Sequence, residues 1–218
     1  MINIVYEDNH LLVVEKPVNI IVQKDNTNDK DLLSMLKEYL KEKYNKPGNV
    51  YLGLVHRLDR PVGGIMIFAK TSKAAERMTK EIKNHNVRKT YYAVVEGKVD
   101  KKGTFIDKLL KDEKTNFVRV SDKGKEAKLE YELICYKNNY SLVKINLITG
   151  RSHQIRVQFS SRGYPLYGDQ RYNKKDKNQI ALFSSSIEFT HPVTKEHLTI
   201  SYNLPNRFPF TLFNYMVK

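Results

Sequence analysis

Apolar and β-branched residues alternate with polar ones over Ile2–Tyr6 and Leu11–Glu15, which predicts two strands, and Glu7-Asp8-Asn9-His10 between them reads as a hairpin turn. From Asp31 to about Tyr44 the period lengthens. Leu32, Leu36, Tyr39 and Leu40 recur at helical spacing, with Asp31 placed to cap the start and Pro47-Gly48 to stop the element. A strand at Gly64–Ala69 follows, then a second helix at Lys73–Lys83 that puts Ala74, Met78 and Ile82 on one face behind a Thr71 or Ser72 cap. Strands are predicted at Thr90–Glu96, Phe117–Ser121, Ala127–Tyr136 and Tyr140–Leu147, punctuated by turns at Asp122-Lys123-Gly124 and Asn138-Asn139. A helix at Ser152–Ser160, ending at Gly163, and strands at Ile187–Thr190 and Leu198–Tyr202 complete the pattern. Strands outnumber helices and group into hairpins. The expected fold class is therefore α+β, a mixed and mainly antiparallel sheet with inserted helices, and not a regular parallel βαβ succession. The 218 residues are expected to form one domain.

Composition narrows the setting. No run of about 18 apolar residues occurs, and the N-terminus lacks the basic start and apolar stretch of a signal peptide, so a cytoplasmic protein with no membrane partner is expected. The single cysteine, Cys135, excludes an intrachain disulfide and reads as a small core residue. Lys and Arg number 38 against 24 Asp and Glu, a formal charge of +14 that points to a polyanionic partner, nucleic acid first. A Lys-rich surface with no such partner is the plainer alternative. The most polar stretch, Asn173 to Gln179, reads as a solvated loop.

Three segments carry candidate chemistry. In His56-Arg57-Leu58-Asp59-Arg60-Pro61-Val62-Gly63-Gly64 a carboxylate lies between two arginines, which keep it ionised when it is partly desolvated, and the glycines permit close backbone approach. Asp59 could equally serve a structural ion pair. In Thr149-Gly150-Arg151-Ser152-His153-Gln154-Ile155-Arg156 a turn leads into a helix whose start favours anions, and Arg151 and Arg156 can take carboxylate or phosphate in forked geometry or form surface ion pairs. In Lys89-Thr90-Tyr91-Tyr92 the two tyrosines of a strand face opposite sides, so one can pack in the core while the other meets a ligand.

In this order, these segments resemble the RluA-type pseudouridine synthases. The opening Tyr6-Glu7-Asp8-Asn9-His10 to Lys16-Pro17 looks like the family's first hairpin, His56-Arg57-Leu58-Asp59 with Gly64 and Ala69-Lys70 its catalytic motif, and Lys89-Thr90-Tyr91 its tyrosine motif. Gly150 to Arg156 matches its arginine motif, and Gly163 to Asp169 is similar to the segment that follows. The resemblance implies Asp59 as catalytic carboxylate, Tyr91 against the uracil and Arg156 as partner of Asp59. Arg57, Arg60, Arg151, His153 and Gln154 are the expected substrate-binding residues. The chain departs from the family at Pro61-Val62-Gly63, where a Thr-Ser pair more often precedes the glycine, so two hydroxyls are missing. The catalytic motif begins after only 55 residues, so the stand-alone form without a separate N-terminal RNA-binding domain is expected.

The implied reaction isomerises uridine in ribosomal or transfer RNA. It breaks N1–C1′, turns the uracil, joins C5 to C1′ and removes the C5 proton, with no redox change and no cofactor. Asp59 could attack the sugar or the base, or assist removal of the ribose 2′-proton. A stacked uridine has to be flipped into a pocket for any of these routes. The six histidines form no His-x-His or His-Glu-x-x-His pattern, so no metal is expected, and neither phosphate-loop fingerprint occurs. A non-catalytic RNA-binding or assembly protein that keeps the fold is the competing class, and a monomer is the default oligomeric state.

Overall fold

The computed structural model describes residues 2–25, 27, 29–173 and 176–213. Along the chain the elements are β1 (Asn3–Glu7), β2 (Leu11–Lys16), α1 (Leu32–Lys43), β3 (Gly53–Leu54), β4 (Gly63–Ala69), α2 (Ser72–Lys83) and β5 (Arg88–Glu96). Then come β6 (Lys102–Asp112), β7 (Phe117–Val120), β8 (Lys125–Lys137), β9 (Tyr140–Leu147), α3 (Gln154–Ser160), β10 (Leu182–Thr190), β11 (His197–Ser201) and a 3-10 turn at Phe210–Phe213. They divide into two compact units, Met1–Val87 with Ser186–Tyr202 and Arg88–Ser185 with Asn203–Lys218.

In the first unit β2 pairs antiparallel with β1 and with β4, and β3 also pairs with β4. The hairpin turn forms because the Asp8 carboxylate accepts the His10 and Leu11 N–H groups at 2.7 Å each, an Asx-type bond that reverses the chain. β4 is buried along its whole length, so its Gly-Gly-Ile-Met-Ile-Phe-Ala run carries no alternation. Leu11, Val13, Ile65 and Ile67 pack with Met78 of α2 and with Ile187, Phe189 and Ile200 of the β10–β11 hairpin. The expected caps are present. Asp31 accepts from Ser34 N at the start of α1, and Thr71, not Ser72, caps α2 through Ala74 N.

The second unit is built on the antiparallel order β5-β9-β8-β6-β7. Helix α3 lies on one face of it, where Val157 joins Leu109, Val118 and Ala127, and Phe159 stacks near Phe105 and Tyr131. Strand β6 had no counterpart among the expected elements. Its Phe105 and Leu109 are buried while Ile106 stays 61% exposed, and charges interrupt the run, so no clean alternation marks it. It is a strand because β7 and β8 pair with it on either side. Every one of these named strand pairings is antiparallel, in keeping with the α+β expectation.

Of the expected polar loop, Lys174 and Lys175 lie outside the described residues. Asp176 and Asn173 are tied down, the first accepting from Gly168 N at 2.6 Å and the second donating to Glu96 at 2.6 Å. Gly168 has φ +74°, and a Cβ there would collide with the Gln179 carbonyl, so this turn requires glycine.

Candidate active site

Asp59 is half-buried in the loop between β3 and β4 of the first unit. Its carbonyl accepts from Val62 N at 3.0 Å, closing a turn over Arg60-Pro61. The next carbonyl, that of Arg60, accepts from Asn19 N at 2.8 Å and from the Lys16 ammonium at 3.0 Å. Lys16 also donates to the Pro17 carbonyl at 2.8 Å. Lys16 ends β2 opposite Gly64, the second residue of β4, which has φ +121°, and the lysine side chain is fully buried. Burial drives its ammonium down to about 7, although the Asp59 carboxylate pulls the other way, and the Arg60 charge adds to the depression. The loop that carries Asp59 is thus pinned by a buried cation close enough to feel its charge.

The flanking motif residues divide by role. Arg57 is exposed. Arg60 reaches back to the Asn19 carbonyl and pairs with Asp29 at 2.8 Å on the surface. His56 accepts the Ile67 N–H at 3.0 Å through Nε2, which makes it a brace of β4. Val62 is 2% exposed, so an apolar side chain fills the place where the family pattern more often carries a hydroxyl.

In the second unit, Tyr91 of β5 is 5% exposed and pairs with Ile145 of β9, which in turn pairs with Tyr131 of β8. That row lies on the sheet face covered by α3, because the Tyr131 ring sits 5.3 Å from Phe159. Tyr92, paired with Lys144, faces the other way. Tyr91 and Arg156 therefore share one side of the sheet, whereas Asp59 belongs to the first unit.

Arg156 is buried in α3, and its guanidinium is held bidentately by Asp169, Nε to Oδ2 at 2.9 Å and Nη2 to Oδ1 at 2.7 Å. Asp169, 1% exposed, also accepts the backbone N–H groups of Arg171 and Tyr172. The guanidinium lies 5.2 Å from the centre of the Tyr172 ring. The Tyr172 hydroxyl accepts from Val118 N at 3.0 Å and stands 2.8 Å from His153 Nδ1. Burial pushes this phenol up, so it stays protonated at neutral pH.

The remaining members of the arginine motif hold its turn. Gln154 accepts from Thr149 Oγ1 and Arg151 N and donates to the Lys128 carbonyl, and Arg151 Nε donates to the Glu126 carbonyl at 2.8 Å. The expectation of an anion site at the helix start is corrected here. Helix α3 has only seven residues, its cap His153 sits in a left-handed conformation without a capping bond, and the Gln154 side chain occupies the turn. No motif in the sequence assigns a role to Asp169 or Tyr172. The signal for Asp169 was indirect, since an arginine facing inward from a short helix requires a carboxylate partner.

Among the described residues no group of acidic, histidine or cysteine side chains could hold a metal ion, and no helix is long and apolar enough to cross a membrane. The family model described as RNA pseudouridylate synthase matches residues 10–161. The chain belongs to this family. It is 32% identical over 208 residues to ribosomal large subunit pseudouridine synthase C of Vibrio vulnificus (strain CMCP6), covering 91% of this chain and 64% of that protein. To ribosomal large subunit pseudouridine synthase D of Zymomonas mobilis it is 33% identical over 221 residues, covering 94% and 69%. The chain thus spans about two thirds of the length of these curated relatives. Its fold is that of human RNA pseudouridylate synthase domain containing 4, with a TM-score of 0.79 at 21% identity, covering 94% of this chain and 89% of that one. The stretch matched by the pseudouridylate synthase family takes in Asp59, Tyr91 and Arg156 and stops short of Asp169 and Tyr172.

Proposed function

We propose that this chain is an RNA pseudouridine synthase in which Asp59 is the catalytic carboxylate, Tyr91 packs against the uracil and Arg156 pairs with Asp59. The observation that carries the reading is the family match extending over all three residues together. Ribosomal RNA of the large subunit takes first place as substrate because relatives C and D are named for it, with transfer RNA as the second candidate. On this reading both units act as one catalytic domain, as a cytoplasmic monomer that needs no cofactor.

Isomerisation needs an ionised carboxylate whether Asp59 acts as nucleophile or as base. Lys16 holds the loop that carries Asp59 by its hydrogen bond to the Arg60 carbonyl. Arg156, oriented by Asp169, offers a planar cation to a second carboxylate, a geometry that lysine's ammonium cannot reproduce. Arg57, Arg60, Arg151, His153 and Gln154 are the substrate-binding set, with Arg57 and Arg60 at the RNA surface and Gln154 shaping the turn that carries Arg151.

The test is to incubate the purified protein with unmodified large-subunit ribosomal RNA and transfer RNA transcripts and count pseudouridine by mass spectrometry. The reading predicts stoichiometric conversion at one or a few uridines. No pseudouridine in any transcript, with RNA still bound, would favour a non-catalytic binding protein instead.

A further inference from the structure

Lys89 has no place in the mechanism above, yet its position is unusual for a lysine. Its residue is only 8% exposed, and among the described residues no carboxylate or carbonyl accepts from its side chain. An ammonium offers three donors and is strongly hydrated, so holding it on a mostly buried side chain with no protein acceptor is unfavourable unless solvent or a ligand supplies one. Burial alone pushes its titration down, with no acidic neighbour opposing the shift. Lys16, by contrast, is buried with two carbonyl acceptors and a nearby carboxylate.

The surroundings of Lys89 indicate which ligand. On β5 it lies two residues before Tyr91, so both side chains leave the same face of the sheet, about 7 Å apart along the strand. That is the face α3 covers, on the side of the sheet where Tyr91 is proposed to hold uracil. Lys89 also stands at the turn of the arginine motif. Its Nζ is 3.6 Å from the point where Gly150 would carry a Cβ, so the glycine leaves the ammonium uncrowded on that side. A cation one strand step from a base-holding tyrosine is placed for the phosphate of the same nucleotide or the next. The charge of +14 and the nucleic-acid family make an RNA phosphodiester the anion that fits.

We infer that Lys89 is a phosphate-binding residue of the substrate site, its ammonium receiving a phosphodiester oxygen beside the uridine held by Tyr91. This rests on the pseudouridine synthase reading. A lysine stem that merely fills space is the competing account, and methionine, which replaces that stem and removes the charge, separates the two.

Wild type, Lys89→Met, Lys89→Gln and Lys89→Arg are compared for affinity to unmodified ribosomal RNA between 50 and about 300 mM salt, for pseudouridine formation and for thermal stability. One lost phosphate contact should flatten the log–log salt slope by about 0.7–0.9 and weaken binding about tenfold in the Met and Gln variants, while Arg keeps the slope. The Met variant should melt at or above the wild-type temperature, because a partly desolvated charge with no protein acceptor is gone. Rising stability together with falling RNA affinity is the signature of a charge kept for a ligand. Equal salt slopes in all four proteins overturn the inference, as does an unfolded Met variant beside a Gln variant that binds like wild type. If wild type makes no pseudouridine, the enzymatic reading fails on that count, while the salt slopes still decide the role of Lys89.

Discussion

At the scale of single residues, the two adjacent tyrosines of β5 allow a clean comparison because period-two geometry sends them to opposite faces. Tyr91→Phe should reduce pseudouridine formation, while Tyr92→Phe, on the face away from α3, should remain near wild type. Initial rates on one ribosomal RNA transcript, with folding checked by circular dichroism, decide it, and the reverse pattern would move the base contact to Tyr92. Asp169 is the second residue with a sharp expectation. Asp169→Asn keeps the shape but removes the charge facing a buried guanidinium, so chemical denaturation should show a loss of about 3–5 kcal/mol. Activity of the folded fraction should fall more than RNA affinity does. A variant as stable and active as wild type would mean that Arg156 needs no such partner.

At the scale of elements, the pinning of the Asp59 loop by the end of β2 has a pH signature. Lys16 is held near 7 in the fold and returns to about 10.5 when unfolded, so between those values the unfolded chain binds more protons. Wild-type stability should therefore gain on that of Lys16→Met as pH rises from about 7 to 10.5. Below 7 both states carry the proton and the difference should level off. Urea denaturation of both proteins across that range checks it, and parallel stability curves would mean that the ammonium is not buried as described. Much of this framework is legible in the sequence. Asp31 and Thr71 cap the helices they precede, and the β1–β2 hairpin turns where Asp8 offers its carboxylate. Strand β6 is not legible, since only pairing with β7 and β8 selects it over a charged loop. The site divides in the same way. Asp59, Tyr91 and Arg156 stand in recognisable motifs, whereas Asp169, Tyr172 and the isolation of Lys89 depend on contacts between segments distant in the chain.

At the scale of the whole molecule, the excess of 38 basic over 24 acidic residues should make RNA affinity depend steeply on salt, with phosphate contacts supplying most of it. A flat dependence in a filter-binding titration would contradict this. Because affinity and chemistry rest on different groups, they can be separated, and Asp59→Asn separates them most directly. The amide nearly preserves the size of the side chain but can act neither as base nor as competent nucleophile. The decisive measurement is pseudouridine counted by mass spectrometry after purified wild type and Asp59→Asn are incubated with the same unmodified RNA, with binding followed in parallel. The account predicts that the variant folds and binds RNA with most of the wild-type affinity yet forms no pseudouridine. Substantial turnover by the folded variant would contradict it.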